Sequence, residues 1–129
     1  MDVYGAVGNA ITIDGQDIYV AGYRDWFGDT GQEGPTGGYT PQYWKNGNLH
    51  DLEEGMRTEY GTGAAYDIKI ADGNVVVVGE VPRDTLDNYS IESACVWING
   101  ELNHLVQIND VNQNIEDWMQ STAKGLYIE

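Results

Sequence analysis

Short apolar runs separated by polar links mark this chain, and within the runs the alternation has a period of two. Ile11 and Ile13 flank Thr12; after Asp14-Gly15-Gln16-Asp17, the run Ile18-Tyr19-Val20-Ala21 ends at Gly22. Ile68 and Ile70 open the pattern again, and Ala71-Asp72-Gly73-Asn74 leads into Val75-Val76-Val77-Val78 and Gly79. β-Branched and aromatic runs of this length, bounded by glycine, predict strands. Asp-Gly supplies the positive φ of a tight hairpin turn, so each pair of runs reads as a hairpin. A second hairpin follows each, turning at Asn46-Gly47 and at Asn99-Gly100. Trp44 and Trp97 stand two residues before those turns, Leu49 and Leu102 two residues after them.

The chain therefore repeats itself. The stretch 43–52 returns 53 residues later as 96–105, and 11–22 returns 57 residues later as 68–79. Ala123-Lys124-Gly125-Leu126-Tyr127-Ile128 restarts the pattern that opens at Ala65-Tyr66-Asp67-Ile68-Lys69-Ile70. Self-similarity at such a period marks a solenoid, a propeller or an array. Each copy predicts four short antiparallel strands, at about 8–13, 17–22, 42–46 and 48–52, then about 65–70, 74–79, 94–98 and 101–106, with a ninth at about 123–128. Ile115, Trp118 and Met119 have the spacing of one helical turn, which Asn112 or Asn114 would cap. Tyr23 to Thr40 and Glu80 to Ser93 read as insertions between second and third strands; Glu53 to Gly63 and Ile108 to Thr122 read as links. Repeat proteins gather such insertions on one face, often the binding face.

Asp14-Gly15-Gln16-Asp17-Ile18-Tyr19-Val20-Ala21-Gly22, followed by Tyr43-Trp44-Lys45-Asn46-Gly47, resembles the repeat of bacterial β-propeller proteins with a "VYVAG … YWKNG" blade signature. The resemblance covers nearly the whole chain. The second copy is looser, with Val78, Val96 and Ile98 in place of the alanine, tyrosine and lysine. It implies an all-β fold of four-stranded antiparallel propeller-type blades: blade 1 at about 4–56, blade 2 at about 60–108 and an extra strand at about 123–129, in one repeat domain. It also implies an extracellular or cell-surface setting, on which the residues themselves are silent. A four-stranded sheet with two apolar faces covers neither by itself, and stacking blades buries both. Trp44, Trp97, Ile18, Tyr19, Val75 and Val77 are the expected inter-blade core. Propellers have about 4–8 blades, and two repeats are too few to close one. The expectation is a homo-oligomer or filament, or a longer propeller of which this is a piece. Strand 123–128, with Leu126, Tyr127 and Ile128, is the candidate subunit link through strand exchange.

Charge narrows the partners. The balance is 21 acidic against 6 basic residues, a net −15 among 129 residues. Nucleic acid and anionic membrane surfaces repel such a chain, and no apolar run approaches the ~20 residues of a membrane span. Met1-Asp2-Val3-Tyr4-Gly5 has no basic region leading into an apolar stretch, so no signal peptide is expected. Cys95 is the one cysteine, expected as a small buried apolar residue.

Catalytic motifs are missing. Neither Gly-x-Ser-x-Gly nor a Gly-x-x-x-x-Gly-Lys phosphate loop occurs. His50 and His104 lack the partners of a zinc site. Asp110, Asn112 and Asn114 alternate as in a calcium loop, but Ile115 stands where glycine is needed and Ser121 where glutamate is. Asp25, Asp29, Glu33, Asp84 and Asp87 in the insertions are expected as surface carboxylates. The aromatics Trp26, Phe27, Tyr39, Tyr89 and Trp118 are the candidate contacts with a partner or a sugar. The reading is a non-enzymatic module, without cofactor, for protein interaction or self-assembly into a ring or filament. A carbohydrate-binding propeller is the alternative. A glycan-active enzyme ranks third and requires two carboxylates within about 10 Å in a cleft.

Overall fold

The computed structural model describes residues 2–27, 37–53, 63–86, 89–105 and 125–126. They form two four-stranded antiparallel sheets and, among the described residues, no helix. The first sheet runs in the order β1 (Asp2–Asp14), β2 (Asp17–Phe27), β3 (Gly37–Lys45), β4 (Asn48–Asp51). The second runs β5 (Ala64–Ala71), β6 (Asn74–Leu86), β7 (Tyr89–Ile98), β8 (Glu101–His104). Each strand pairs with its neighbours in sequence, as consecutive hairpins require.

Several strands outrun the apolar pattern. The stretch Tyr23–Phe27 stays in the ladder against Gly37–Pro41, and β6 and β7 pair from Val76↔Ile98 out to Leu86↔Tyr89. Trp26, Phe27, Tyr39 and Tyr89 therefore lie in strands, where the sequence predicted loops. The ladder needs only backbone N–H and C=O groups, so it continues through glycines and charged residues after the alternation has ended.

Turns and bulges hold the sheets in register. Asn46 and Gly47, and likewise Asn99 and Gly100, all have positive φ, the two-residue turn expected of Asn-Gly. Each asparagine also ties its turn to the start of the second strand. The Ile18 N–H donates to Asn46 Oδ1 at 2.9 Å, while Asn46 Nδ2 donates to Asp17 Oδ1. Val75, Asn99 and Asn74 repeat the arrangement. Gly22 and Gly79 face the bulges of β1 and β5, and a Cβ there would overlap the carbonyl oxygens of Val7 and Ala64. That close approach is why each run ends in glycine.

The core lies between the sheets. Tyr19, Ala21, Tyr43 and Leu52 from the first sheet and its exit meet Ile68, Val77, Val81, Cys95 and Trp97 from the second. Expectation held for Tyr19, Val77 and Trp97, with Val75 packed at the margin. It failed for Ile18, which is exposed, and for Trp44, which is only half-buried. Both lie on the face of the first sheet turned away from the second.

Asn99 gives a direct test of the turn device. Asn99→Gly keeps the positive φ and deletes two side-chain hydrogen bonds, and is expected to cost about 1–2 kcal/mol in denaturant unfolding. Asn99→Ala adds the strain of a Cβ at positive φ, and should cost about 1 kcal/mol more.

Candidate functional site: the uncovered face of the first sheet

Strand register brings four residues into one row on each sheet. In the first, Ile11 pairs with Val20, Val20 with Trp44, and Trp44 with Leu49. In the second, Ile68 pairs with Val77, Val77 with Trp97, and Trp97 with Leu102. The rows match residue for residue, yet their surroundings differ. Ile68, Val77 and Trp97 are fully buried against the first sheet. On the first sheet, Ile11 is 61% exposed, Ile13 66% and Leu49 43%. A shallow depression of about 260 Å³ runs along this face, lined by Ala6, Gly8, Ile18, Val20, Trp44 and Gly47. This exposed apolar surface makes the face the candidate interaction site.

The covered joint shows how such a face is met. The Trp97 indole N–H donates to the carbonyl of Glu53 at 2.8 Å, and the Glu53 N–H donates to the carbonyl of Gly100 at 2.9 Å. Glu53 Oε2 accepts from the Leu102 N–H. Along the bulge, Asn9 Nδ2 donates to the carbonyl of Ala65. On the uncovered face, Trp44 Nε1 makes no hydrogen bond among the described residues, and Gly47 stands where Gly100 does.

Away from the turns this face becomes polar. Gln42 is fully buried, and its Nε2 donates to Asp51 Oδ1 at 3.3 Å. Its Oε1 finds no partner among the described residues. The matching place in the second sheet is Cys95, beside His104. Burial first, and then the Glu80 charge, push the Cys95 thiol up to about 12. Such a thiol is protonated and inert, which agrees with its expected role as a small apolar residue. Tyr66 donates to Glu80 Oε1 at 2.8 Å, and burial together with that bond raises its phenol to about 12.

The other sequence candidates do not converge on one place. Tyr39 is exposed on β3, its ring centroid 4.5 Å from that of Tyr23. Trp26 and Phe27 end β2, and Tyr89 begins β7. The His50 ring stacks on Tyr43 at 4.8 Å. The backbone N–H of Leu126 donates to Asp67 Oδ2 of its own chain at 2.9 Å. Trp118, Tyr127, Ile128 and the calcium candidates Asp110, Asn112 and Asn114 lie outside the described residues, as does the predicted helical turn. Among the described residues, no three His, Cys, Asp or Glu side chains gather as a metal site. No helix there is long and apolar enough to cross a membrane. Asn9 and Glu53 were missed as joint residues, and Asp67 as the partner of Leu126 on the opposite face of the second sheet. The one available signal was their position beside bulges and strand ends.

Two measurements check this account. Trp97→Ala should cost about 3–5 kcal/mol in denaturant unfolding, as for a buried tryptophan, and Trp44→Ala less than half of that. Cys95 favours folding fully below the ordinary thiol pKa near 9, and that contribution is lost as pH rises from there to about 12. Wild type should therefore lose more stability than Cys95→Ala between about pH 8 and pH 10, the range in which only the unfolded thiol ionises. Comparison with protein-family models, curated proteins and solved structures yields no match to this chain.

Proposed function

We propose that the chain is a non-enzymatic module of β-propeller type that works by associating with copies of itself through sheet faces. One observation carries the reading: in the row Ile11, Val20, Trp44, Leu49 the two ends are exposed and Val20 and Trp44 only half-buried, while the counterparts Ile68, Val77 and Trp97 are fully buried against a neighbouring sheet. A face of the same composition and register calls for the same kind of cover, another β-sheet. The product is a ring or filament of stacked sheets. Strand exchange through 123–128 is a second route, but Leu126 sits on Asp67 of its own chain, which favours face-to-face stacking.

The carbohydrate reading has less support. Sugar-binding sites pair exposed rings with converging polar groups. Tyr39 is exposed but packs on Tyr23, and the depression beside Trp44 is lined by apolar residues and glycines.

Net charge opposes self-association, because copies carrying −15 repel one another. Salt shortens the reach of that repulsion from about 10 Å at 0.1 M to about 3 Å at 1 M. Sedimentation velocity should show a weight-average coefficient that rises with protein concentration and rises further with added salt. Ile11→Glu, at an exposed position, should abolish the rise and leave the thermal melt unchanged. A single monomer boundary for wild type at every micromolar concentration and salt would refute the proposal.

A further inference from the structure

The second sheet also has a face turned away from the joint, and its register identifies what that face resembles. The first sheet covers the second with rows built on Ala10, Ala21, Tyr43 and His50, and on Thr12, Tyr19, Lys45 and Asn48. The matching rows of the second sheet are Asp67, Val78, Val96 and Asn103, and Lys69, Val76, Ile98 and Glu101. Ala21 thus corresponds to Val78, Tyr43 to Val96 and Tyr19 to Val76. Leu52, which closes the joint after β4, corresponds to Leu105 after β8. Ile98 is 44% exposed and Leu105 53%, while Val78 and Ala94 are buried, so this face is open only at its end toward the Asn99-Gly100 turn.

We infer that the partner of the uncovered face is the outer face of the second sheet on a second copy, docked head to tail. This rests on the proposed self-association and specifies its geometry. The pairing repeats across two chains the joint already built within one. The row around Trp44 takes the place of the row around Trp97, and Val76, Val96, Ile98 and Leu105 of the neighbour take the places of Tyr19, Tyr43, Lys45 and Leu52. The Trp44 indole N–H and the Gly47 carbonyl stand where Trp97 and Gly100 meet the backbone after Leu52. Leu126 holds one corner of this face at Asp67, so the contact centres on the opposite end, toward the Asn99-Gly100 turn.

The mode differs from a two-fold dimer in kind. The docking surfaces are different patches of one chain, so each contact leaves one of each patch free for the next copy. A two-fold dimer would instead pair two uncovered faces and stop.

Complementation separates the possibilities. Ile11→Glu blocks the uncovered face of the first sheet, and Ile98→Glu blocks the outer face of the second. Both positions are exposed, and unchanged thermal melts verify the folds. Head-to-tail docking predicts that each variant alone is monomeric in sedimentation. Their mixture should form a 1:1 dimer that grows no further. Native mass spectrometry with one variant labelled in ¹⁵N identifies that dimer as mixed. If Ile98→Glu alone still dimerises and the mixture adds no new species, the head-to-tail mode is overturned while self-association stands. If wild type itself never associates, both fall.

Discussion

One constraint governs this molecule: a four-stranded sheet that is apolar on both faces has to be covered on both. The Trp97 joint shows the constraint met. Its indole fills the space between the sheets, and its N–H is satisfied by the Glu53 carbonyl, so the largest buried side chain leaves no polar atom stranded. Glu53 serves the joint three times, through its carbonyl, its N–H and its carboxylate. The segment leaving β4 is thereby fixed to the turn between β7 and β8, and it is this fixation that sets one sheet against the other.

Everything upstream serves to present those rows in register. A slip of one residue in any strand would turn its apolar side chains to the wrong face. The slip is prevented at three points in each sheet. Asn46 and Asn99 lock the second hairpin to the start of the second strand. The first hairpin turns on Gly15 in one sheet and on Asp72-Gly73 in the other, with positive φ in both. The β1 and β5 bulges close onto Gly22 and Gly79, which alone leave room for the facing carbonyl.

Much of this was legible in the sequence, because the signals are local. Asn-Gly turns, glycine-terminated apolar runs and the return of Trp44 as Trp97 gave all-β structure, eight strands and their pairing. What local signals do not carry is the far end of each ladder, since Arg24, Asp25 or Pro82 extend a strand by backbone pairing alone. Nor do they tell Trp44 from Trp97. The two precede the same Asn-Gly turn and have the same register partners, a valine and a leucine, and they differ in whether a sheet lies over them. Burial is a property of the joint, and Asn9 and Glu53, which build the contacts around it, are ordinary polar residues until the sheets are placed.

The joint within the chain and the proposed joint between chains are unequal, and the inequality would order the steps of that assembly. Within the chain, the carboxylate of Glu53 caps the Leu102 N–H, and Asn9 reaches the Ala65 carbonyl. In the sequence of the second copy, valine stands in the place of Glu53, so the proposed joint between chains has no matching carboxylate. Tyr43 and Tyr19 are replaced by the smaller Val96 and Val76, so less apolar area is removed from water. Association also costs translational and rotational freedom, which the intrachain joint gives up only as part of folding, and it works against the repulsion of two acidic chains. The two sheets therefore close on each other first, as a folded chain. In the proposed self-association, stacking between chains is the weaker, reversible step, and concentration and ionic strength are expected to control it.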